Sequence, residues 1–173
     1  QALDKVGVGD KVREAAIAMK GRMMHDQDGN LTFQPYGQDD QAIYSISRGG
    51  LNKILMSHAE EHPMVNFHFN LRCEDVDLES GICTFRHHET GETKEVKSDL
   101  IFGADGAYSA VRAEMEHQKH FDYQQKYISS DYIELSIDAT PSGDFAIEKN
   151  ALHIWPRGDF MLIALPNPDG SFT

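Results

Sequence analysis

The chain has 173 residues, about the length of one domain, and 40% of them are hydrophobic, enough to build a folded core. Its formal net charge of −12 at pH 7 argues against a nucleic acid or an anionic membrane as partner, because both require clustered Lys and Arg side chains. No apolar run approaches the roughly 18 residues of a membrane span.

The first elements in chain order are helical pieces and a hairpin. Residues 2–19 predict short helices that are interrupted at Gly7-Val8-Gly9. Residues 23–36 predict two short strands around a turn at Asp28-Gly29-Asn30, because turn residues there separate two runs of strand-forming residues.

A longer helix follows, with Ser47 as its N-cap and Pro63 at its end. Residues that recur at helical spacing define one face of it: Leu51, Ile54, Leu55 and His58. The Gly49-Gly50 pair is unfavourable in the first turn of a helix, which indicates a backbone that another group approaches closely.

The middle of the chain predicts a β-meander and then a buried strand. From Val65 the apolar residues alternate, and turns at 79–81 and 89–92 return the chain twice. The run Leu100–Ala104 is apolar without alternation, which is typical of a strand buried on both faces in a parallel sheet. A helix opens after Asp105-Gly106.

The last third predicts three long strands over 127–138, 144–155 and 159–165. Tight turns at 141–143 and at Arg157-Gly158 join them, so they are expected to pair antiparallel.

Chemistry is first indicated at Asp105-Gly106, where the predicted buried strand ends and a helix begins. Ligands bind at the carboxyl ends of strands in open α/β sheets, and the free N–H groups of a helix start suit phosphate. Taken alone, the four residues 103–106 fit an ordinary turn equally well. The longer string G-A-D-G-A-Y-S-A-V-R resembles the internal motif of the FAD-dependent aromatic hydroxylases built like p-hydroxybenzoate hydroxylase. The resemblance implies that Asp105 and Gly106 contact the cofactor, with Ser109 and Arg112 in supporting positions.

A second match to this family is Arg48, at the start of the longer helix, with Leu51 and Leu55 after it. A fixed guanidinium at a helix entrance can pair with a pyrophosphate, although an exposed Arg at a helix start is the commoner occurrence. The resemblance makes Arg48 a cofactor-binding residue. It also adds Cys73, which follows the strand whose equivalent contacts the flavin.

A third group of residues indicates the substrate. Arg22 and Tyr36 resemble the pair that holds a carboxylate in those family members that hydroxylate an aromatic amino acid; the alternative is a surface Arg and a packed Tyr. The same resemblance assigns an apolar wall around the aromatic ring to Leu152, Met161, Ile163 and Leu165. Alternation places the last three on one strand face, which a protein core would explain equally well.

The resemblance covers essentially the whole chain and implies a mixed α/β fold. Residues 1–117 would be part of a Rossmann-like FAD-binding domain with a β-meander, and 118–173 part of an antiparallel-sheet substrate domain. The opening G-x-G-x-x-G unit of the family is not in the sequence, so an internal piece of a longer enzyme is expected, inactive by itself.

The implied reaction is hydroxylation of L-kynurenine to 3-hydroxykynurenine with FAD, NADPH and O₂. No side chain of this segment is required as a general base. A related hydroxylase for another aromatic acid and a non-catalytic folded domain are the alternatives. The resemblance implies a cytoplasmic protein in a bacterium, which is favoured, or the mitochondrial outer membrane in a eukaryote.

The remaining metal-binding residue types predict no site. His58 and His62 are four apart on a helix, but the string H-A-E-E-H does not place Glu next to the first His, and no third ligand is evident. Cys73 and Cys83 lack a C-x-x-C spacing, so reduced thiols are favoured over the disulfide that neighbouring strands would allow.

Overall fold

The computed structural model describes residues 2–38 and 41–173. The chain divides into two compact units. One, called here the sheet unit, consists of Gln1–Val65 together with Tyr132–Thr173; the other, the meander unit, is Asn66–Asp131.

The described chain contains both helices and strands, in runs of one to four elements of a kind, which gives a mixed α/β fold. In order, they are α1 (Ala2–Lys5), α2 (Gly9–Ala15), β1 (Ile17–Met19), β2 (Gly21–His25), β3 (Leu31–Pro35), β4 (Ile43–Ser45), α3 (Arg48–Glu60), β5 (Leu71–Asp77), β6 (Ile82–His87), β7 (Thr93–Lys97), a 3₁₀ turn (Gly106–Tyr108), α4 (Ala110–Glu116), β8 (Ala151–Arg157) and β9 (Phe160–Ala164).

A four-stranded sheet in the order β3-β2-β8-β9 forms the centre of the sheet unit. The predicted hairpin is confirmed as β2 and β3: the Asp26 carboxylate accepts the Asn30 amide at 2.7 Å, and Gly29 takes a φ of +85° in the turn. The predicted antiparallel pairing around Gly158 is confirmed as β8 and β9. The sheet is nevertheless mixed, because β2 and β8 pair in parallel, which was not predicted.

Several hydrogen bonds join the β8 region to the β1–β2 region. The side-chain amide of Asn150 donates to the Ala18 carbonyl at 2.9 Å, and Arg157 donates to the carbonyls of His25 and Asp26 at 3.1 and 3.2 Å. The core of the unit is built around this joint, and its most buried members there are Met19, Ala151, His153, Ala164, Pro166 and Phe172.

The longer helix is confirmed as α3, with the Ser47 hydroxyl accepting the Gly50 amide at 3.0 Å. The prediction of short helices over 2–19, interrupted at Gly7-Val8-Gly9, is wrong for the last three residues of that segment. They form β1, which pairs with β4 and buries Met19, so tertiary pairing outweighs local helix propensity there.

In the meander unit, β5, β6 and β7 form the predicted antiparallel meander. The first strand begins at Leu71, and the expectation that it begins at Val65 is wrong. Phe67 and Phe69 alternate as a strand would, but they stack on each other with ring centroids 5.9 Å apart and lie outside the sheet.

Two further strand predictions are wrong for one physical reason. Leu100–Ala104 forms no strand and Phe102 is 84% exposed; 127–138 contributes only an isolated bridge between Ile137 and Phe172. A strand exists only when a neighbour accepts its hydrogen bonds, and no strand among the described residues pairs with these segments. The strand expected over 144–155 is also shorter, since β8 begins at Ala151.

The boundaries of the compact units do not coincide with the domain boundary predicted after residue 117. That boundary was predicted for the domains of the family, and it stays a prediction. Within 2–38 and 41–173, no helix has the length and apolar character needed to cross a membrane. Both cysteines are free thiols, and the described residues contain no group of three or more His, Cys, Asp or Glu arranged to hold a metal.

Candidate functional site

One face of the four-stranded sheet, called here the front face, collects the residues predicted to bind substrate. Directly paired residues project to the same side of a sheet, and Arg22 on β2 pairs with Leu152 on β8. Two positions further along β8, Ile154 pairs with Ile163 on β9. Met161 lies two residues before Ile163, so it shares that face. Three strands therefore place a guanidinium beside a row of apolar side chains.

Arg22 and Tyr36 are adjacent, as the sequence predicts for a pair that acts together. The guanidinium carbon of Arg22 lies 5.5 Å from the centroid of the Tyr36 ring, a cation–π distance. The chain holds Tyr36 there because its amide donates to the Lys20 carbonyl at 3.0 Å, directly beyond the β2–β3 pairing. Arg22 is exposed and forms no ion pair with any described residue, so its N–H groups are free to receive an anion.

The apolar wall is open to solvent. Met161 is 61% exposed and Ile163 43%. Leu165 follows β9 and exchanges backbone hydrogen bonds with Thr173 at 2.7 and 3.0 Å. It lines a cavity of about 680 Å³ whose wall also includes Arg48 and Leu51. The structure thus joins one predicted cofactor residue and one predicted substrate residue in a single cavity of the sheet unit.

Arg48 is held at the first position of α3 by the Ser47 cap. The unusual Gly49-Gly50 pair is partly explained by that cap, since a Cβ on Gly50 would lie 2.8 Å from the Ser47 hydroxyl. A Cβ on Gly49 would meet no atom within 4 Å from the described residues outside its own helix backbone and chain neighbours. Arg48 is exposed and makes no ion pair within the described part of the chain, as a guanidinium that binds a phosphate group would require.

Asp105 is the centre of a locally built turn in the meander unit. Its carboxylate accepts the Ser109 hydroxyl at 2.5 Å and the Ala110 amide at 2.7 Å, and the Ser109 hydroxyl in turn accepts the Arg112 amide at 3.0 Å. The Ser109 hydrogen bond is the main reason that the pKa of the Asp105 carboxyl lies below its usual value. The carboxylate is therefore charged and serves as a cap of the chain that follows it.

Gly106 and Arg112 complete this turn. Gly106 has a φ of +79°, and no described residue beyond its chain neighbours lies within 4 Å of the position that a Cβ would take. Arg112 donates to the carbonyls of Gly106 and Ala107 at 3.3 and 2.5 Å. The supporting position that the sequence predicts for Arg112 is consistent with these bonds, because they fix the backbone that carries Gly106.

A cavity of about 760 Å³ lies beside the Asp105 turn. Cys73, Asp105 and Ser109 line it, together with Tyr108 and residues of β5. Burial raises the pKa of the Cys73 thiol, so the thiol is protonated at neutral pH and lines the cavity as an uncharged group. Three of the five predicted cofactor residues, Cys73, Asp105 and Ser109, therefore line one cavity. Gly106 belongs to the Asp105 turn beside that cavity. Arg48 lies in the sheet unit.

Sequence reasoning missed a pair of histidines on the opposite side of the sheet, the back face, which carries Met23, His25, His153 and Trp155. His25 and His153 lie 128 positions apart and form a hydrogen bond of 2.8 Å. The available signal was a His at an inward position of an apolar strand, but a solvated His fits the same pattern.

The comparisons with known proteins identify the class of protein to which this fold belongs. Residues 1–165 match the family model described as an FAD binding domain, and the chain belongs to that family. Among solved structures, it is similar to the flavin-dependent halogenase CmlS, with a TM-score of 0.63 and 15% identity over 98% of this chain and 31% of that one. At that identity the likeness concerns the fold alone.

The most informative relatives are named kynurenine 3-monooxygenase. The chain is 48% identical to the enzyme of Flavobacterium johnsoniae, 47% to that of Myxococcus xanthus and 43% to that of Sus scrofa. Each alignment covers 99–100% of this chain but only 36–38% of the relative. The chain therefore spans less than two fifths of the length of these curated relatives.

Proposed function

We propose that the chain is part of an FAD-dependent, NADPH-using monooxygenase that hydroxylates L-kynurenine to 3-hydroxykynurenine. The observation that carries the proposal is the front face, where Arg22 and Tyr36 lie beside a row of apolar side chains. Kynurenine has a charged amino-acid end and an aromatic ring, and the front face offers one surface for each. The names and identities of the relatives support the same substrate.

Each predicted residue then has a physical task. Arg22 pairs with the substrate carboxylate through its planar fork of N–H donors, and Tyr36 adds a neutral hydroxyl donor while its ring holds the guanidinium in place. Leu152, Met161, Ile163 and Leu165 contact the ring and exclude water from it. No side chain of the front face is asked to act as a general base.

Each unit carries residues predicted to contact the cofactor. In the sheet unit, Arg48 would pair with a phosphate of FAD. In the meander unit, the Asp105–Gly106 turn would present backbone to the cofactor, since no described residue beyond its chain neighbours lies within 4 Å of the position of a Gly106 Cβ. Cys73 and Ser109 line the cavity beside that turn. When bound, FAD supplies the oxidation chemistry, with NADPH as reductant and O₂ as oxygen source; the protein binds, orients and excludes water.

The decisive experiment is Arg22→Ala in the complete flavoprotein that contains this chain. The KM for L-kynurenine is expected to rise about 10- to 100-fold while kcat and the flavin absorbance stay unchanged, because a charge-assisted contact to bound substrate is lost. Tyr36→Phe keeps the ring and is expected to raise KM less. Arg86→Ala, which removes a guanidinium paired with Glu74 on the meander, is the matched control and should leave KM unaltered.

An unchanged kynurenine KM in Arg22→Ala would refute the carboxylate contact. The substrate itself is tested by NADPH consumption with a panel of aromatic acids. Faster turnover of another aromatic acid than of L-kynurenine would replace the proposed substrate with that compound. Absence of NADPH oxidation with every compound would favour a non-catalytic domain.

A further inference from the structure

The back face of the sheet contains a buried histidine for which the proposed function has no use. His153 on β8 is 1% exposed, and both of its ring nitrogens are engaged. Nδ1 lies 2.8 Å from Nε2 of His25 on β2, and Nε2 lies 2.7 Å from the Glu148 carbonyl. Both ring nitrogens of this buried imidazole are therefore satisfied, because each hydrogen bond offsets the cost of removing a ring nitrogen from water.

The partners fix the tautomers of both rings. The Glu148 carbonyl only accepts, so Nε2 of His153 carries a proton and donates it. Nδ1 of the neutral His153 ring is then bare and accepts from Nε2–H of His25. One additional proton can enter at Nδ1 of His25 without breaking this bond. A second proton, on Nδ1 of His153, would set two N–H groups against each other.

The surroundings of His25 disfavour a charge on its ring. The His25 ring stacks on Trp155 with centroids 4.1 Å apart, and Phe172 packs edge-on against His153. Arg157 donates to the His25 carbonyl, and the Glu148 carboxylate accepts the backbone amide of Asn150. On β3, the residue that pairs with His25 is Leu31, which cannot ionise. Burial, with smaller contributions from His153 and Arg157, lowers the pKa of His25.

The bond also bears on the front face. Among the described residues it is the only side chain–side chain hydrogen bond between β2 and β8. These strands pair in parallel in a register that sets Arg22 opposite Leu152. Because successive residues of a strand alternate between faces, a slip of one residue would turn Arg22 away from the apolar wall. The hydrogen bond between His25 and His153 on the back face therefore helps to hold the register that places Arg22 on the front face.

We propose that His25 and His153 are positioning residues for Arg22: their ring-to-ring bond holds β2 in the register that aims the guanidinium at the substrate carboxylate. The inference rests on the proposed function of the front face. It predicts that the pair acts on substrate binding and leaves the chemical step unchanged.

The test uses two substitutions of His153 in the complete flavoprotein. His153→Phe keeps a ring against Phe172 but removes both hydrogen bonds, whereas His153→Gln keeps one donor and one acceptor. We expect His153→Phe to raise the kynurenine KM about tenfold with kcat within about twofold of wild type, and His153→Gln to restore most of the KM. Leu162→Ala, on the back face of β9, is the packing control and should leave KM unchanged.

The hydrogen bond between the two rings can also be tested by spectroscopy, independently of catalysis. Nitrogen-15 spectra of the imidazoles in the complete flavoprotein should show both rings as Nε2–H tautomers at neutral pH. An Nδ1–H tautomer of His153 would refute the bond itself. Should His153→Phe not fold, His25→Phe removes the same bond from a less buried ring.

The two proposals fail in different ways. If Arg22→Ala raises KM and His153→Phe does not, the positioning role is wrong and the carboxylate contact stands. If Arg22→Ala leaves KM unchanged, the carboxylate contact is wrong and the positioning role falls with it, whatever the nitrogen-15 spectra show of the ring bond. An equal loss of kcat in His153→Phe and in Leu162→Ala would assign the back face to general packing and overturn the positioning role.

Discussion

The front face of the sheet unit and the Asp105 turn of the meander unit are assembled in opposite ways. The bonds of the turn join Asp105 to residues at most six positions away. The front face combines strands whose linking bond joins residues 128 positions apart. The candidate cofactor contact is therefore encoded locally, whereas the candidate substrate surface exists only when distant segments pair correctly. A substitution in the turn should therefore destabilise only neighbouring residues, whereas a substitution in the core of the sheet should destabilise the whole sheet unit.

The largest expected effect comes from the core of the sheet unit. Phe172 is fully buried between His153 and Phe145, so Phe172→Ala should destabilise the unit by about 3–5 kcal/mol. Trp155 is the single tryptophan of the chain and lies on β8, so its fluorescence during denaturant unfolding reports this unit. Phe160→Ala removes the same side chain from a 61% exposed position of the same unit, and it should change stability by less than about 0.5 kcal/mol. Equal losses in the two variants would show that burial of Phe172 does not hold the distant segments of the sheet unit together.

An intermediate effect is expected at the turn. Asp105→Ala removes the acceptor of the Ser109 hydroxyl and of the Ala110 amide, and loss of such a cap costs about 1 kcal/mol. Hydrogen exchange should accelerate at amides 109–112, while the amides of β2 and β8 stay protected. Asp99→Ala removes a nearby exposed carboxylate and serves as control. Faster exchange throughout the four-stranded sheet would show that the turn is not locally encoded.

The smallest effect is a pH dependence of the sheet unit. The pKa of His25 is lower in the folded chain than the ordinary 6.5, so the unfolded chain binds more protons at mildly acidic pH. Stability should therefore be complete above pH 6.5 and decline as the pH falls towards the folded value. The carboxyls of this unit with lowered pKa values, such as Asp26, lose their contribution only below about pH 4. His25→Gln should flatten the first decline, and a wild-type curve without it would contradict the burial of the pair.

The features that the sequence predicts correctly are the ones held by nearby residues. The turn between β2 and β3 depends on Asp26, Gly29 and Asn30, and α3 begins at Ser47 because its hydroxyl caps the first turn. The meander also needs only hairpin partners. In each case the physical cause lies within a few residues of its effect, so the pattern of residue types is sufficient.

The failures concern partners that no local pattern specifies. The apolar run Leu100–Ala104 has the composition of a buried strand, but composition does not provide the neighbour that makes it one. The parallel pairing of β2 with β8 was missed because a parallel partner lies at no fixed distance along the chain. The roles of Arg22 and Tyr36 could be proposed from resemblance, but their proximity follows from the register of β2.

The parallel pairing of β2 and β8 also sets an order of events during synthesis. Residues His25 and His153 are 128 positions apart, so at about 5–20 residues per second β2 waits on the order of 6 to 25 seconds for its partner to be made. Meanwhile the meander, whose contacts are local, can form. The hairpin of β2 and β3 has an unpaired edge throughout that interval and is the segment most exposed to mispairing on the ribosome.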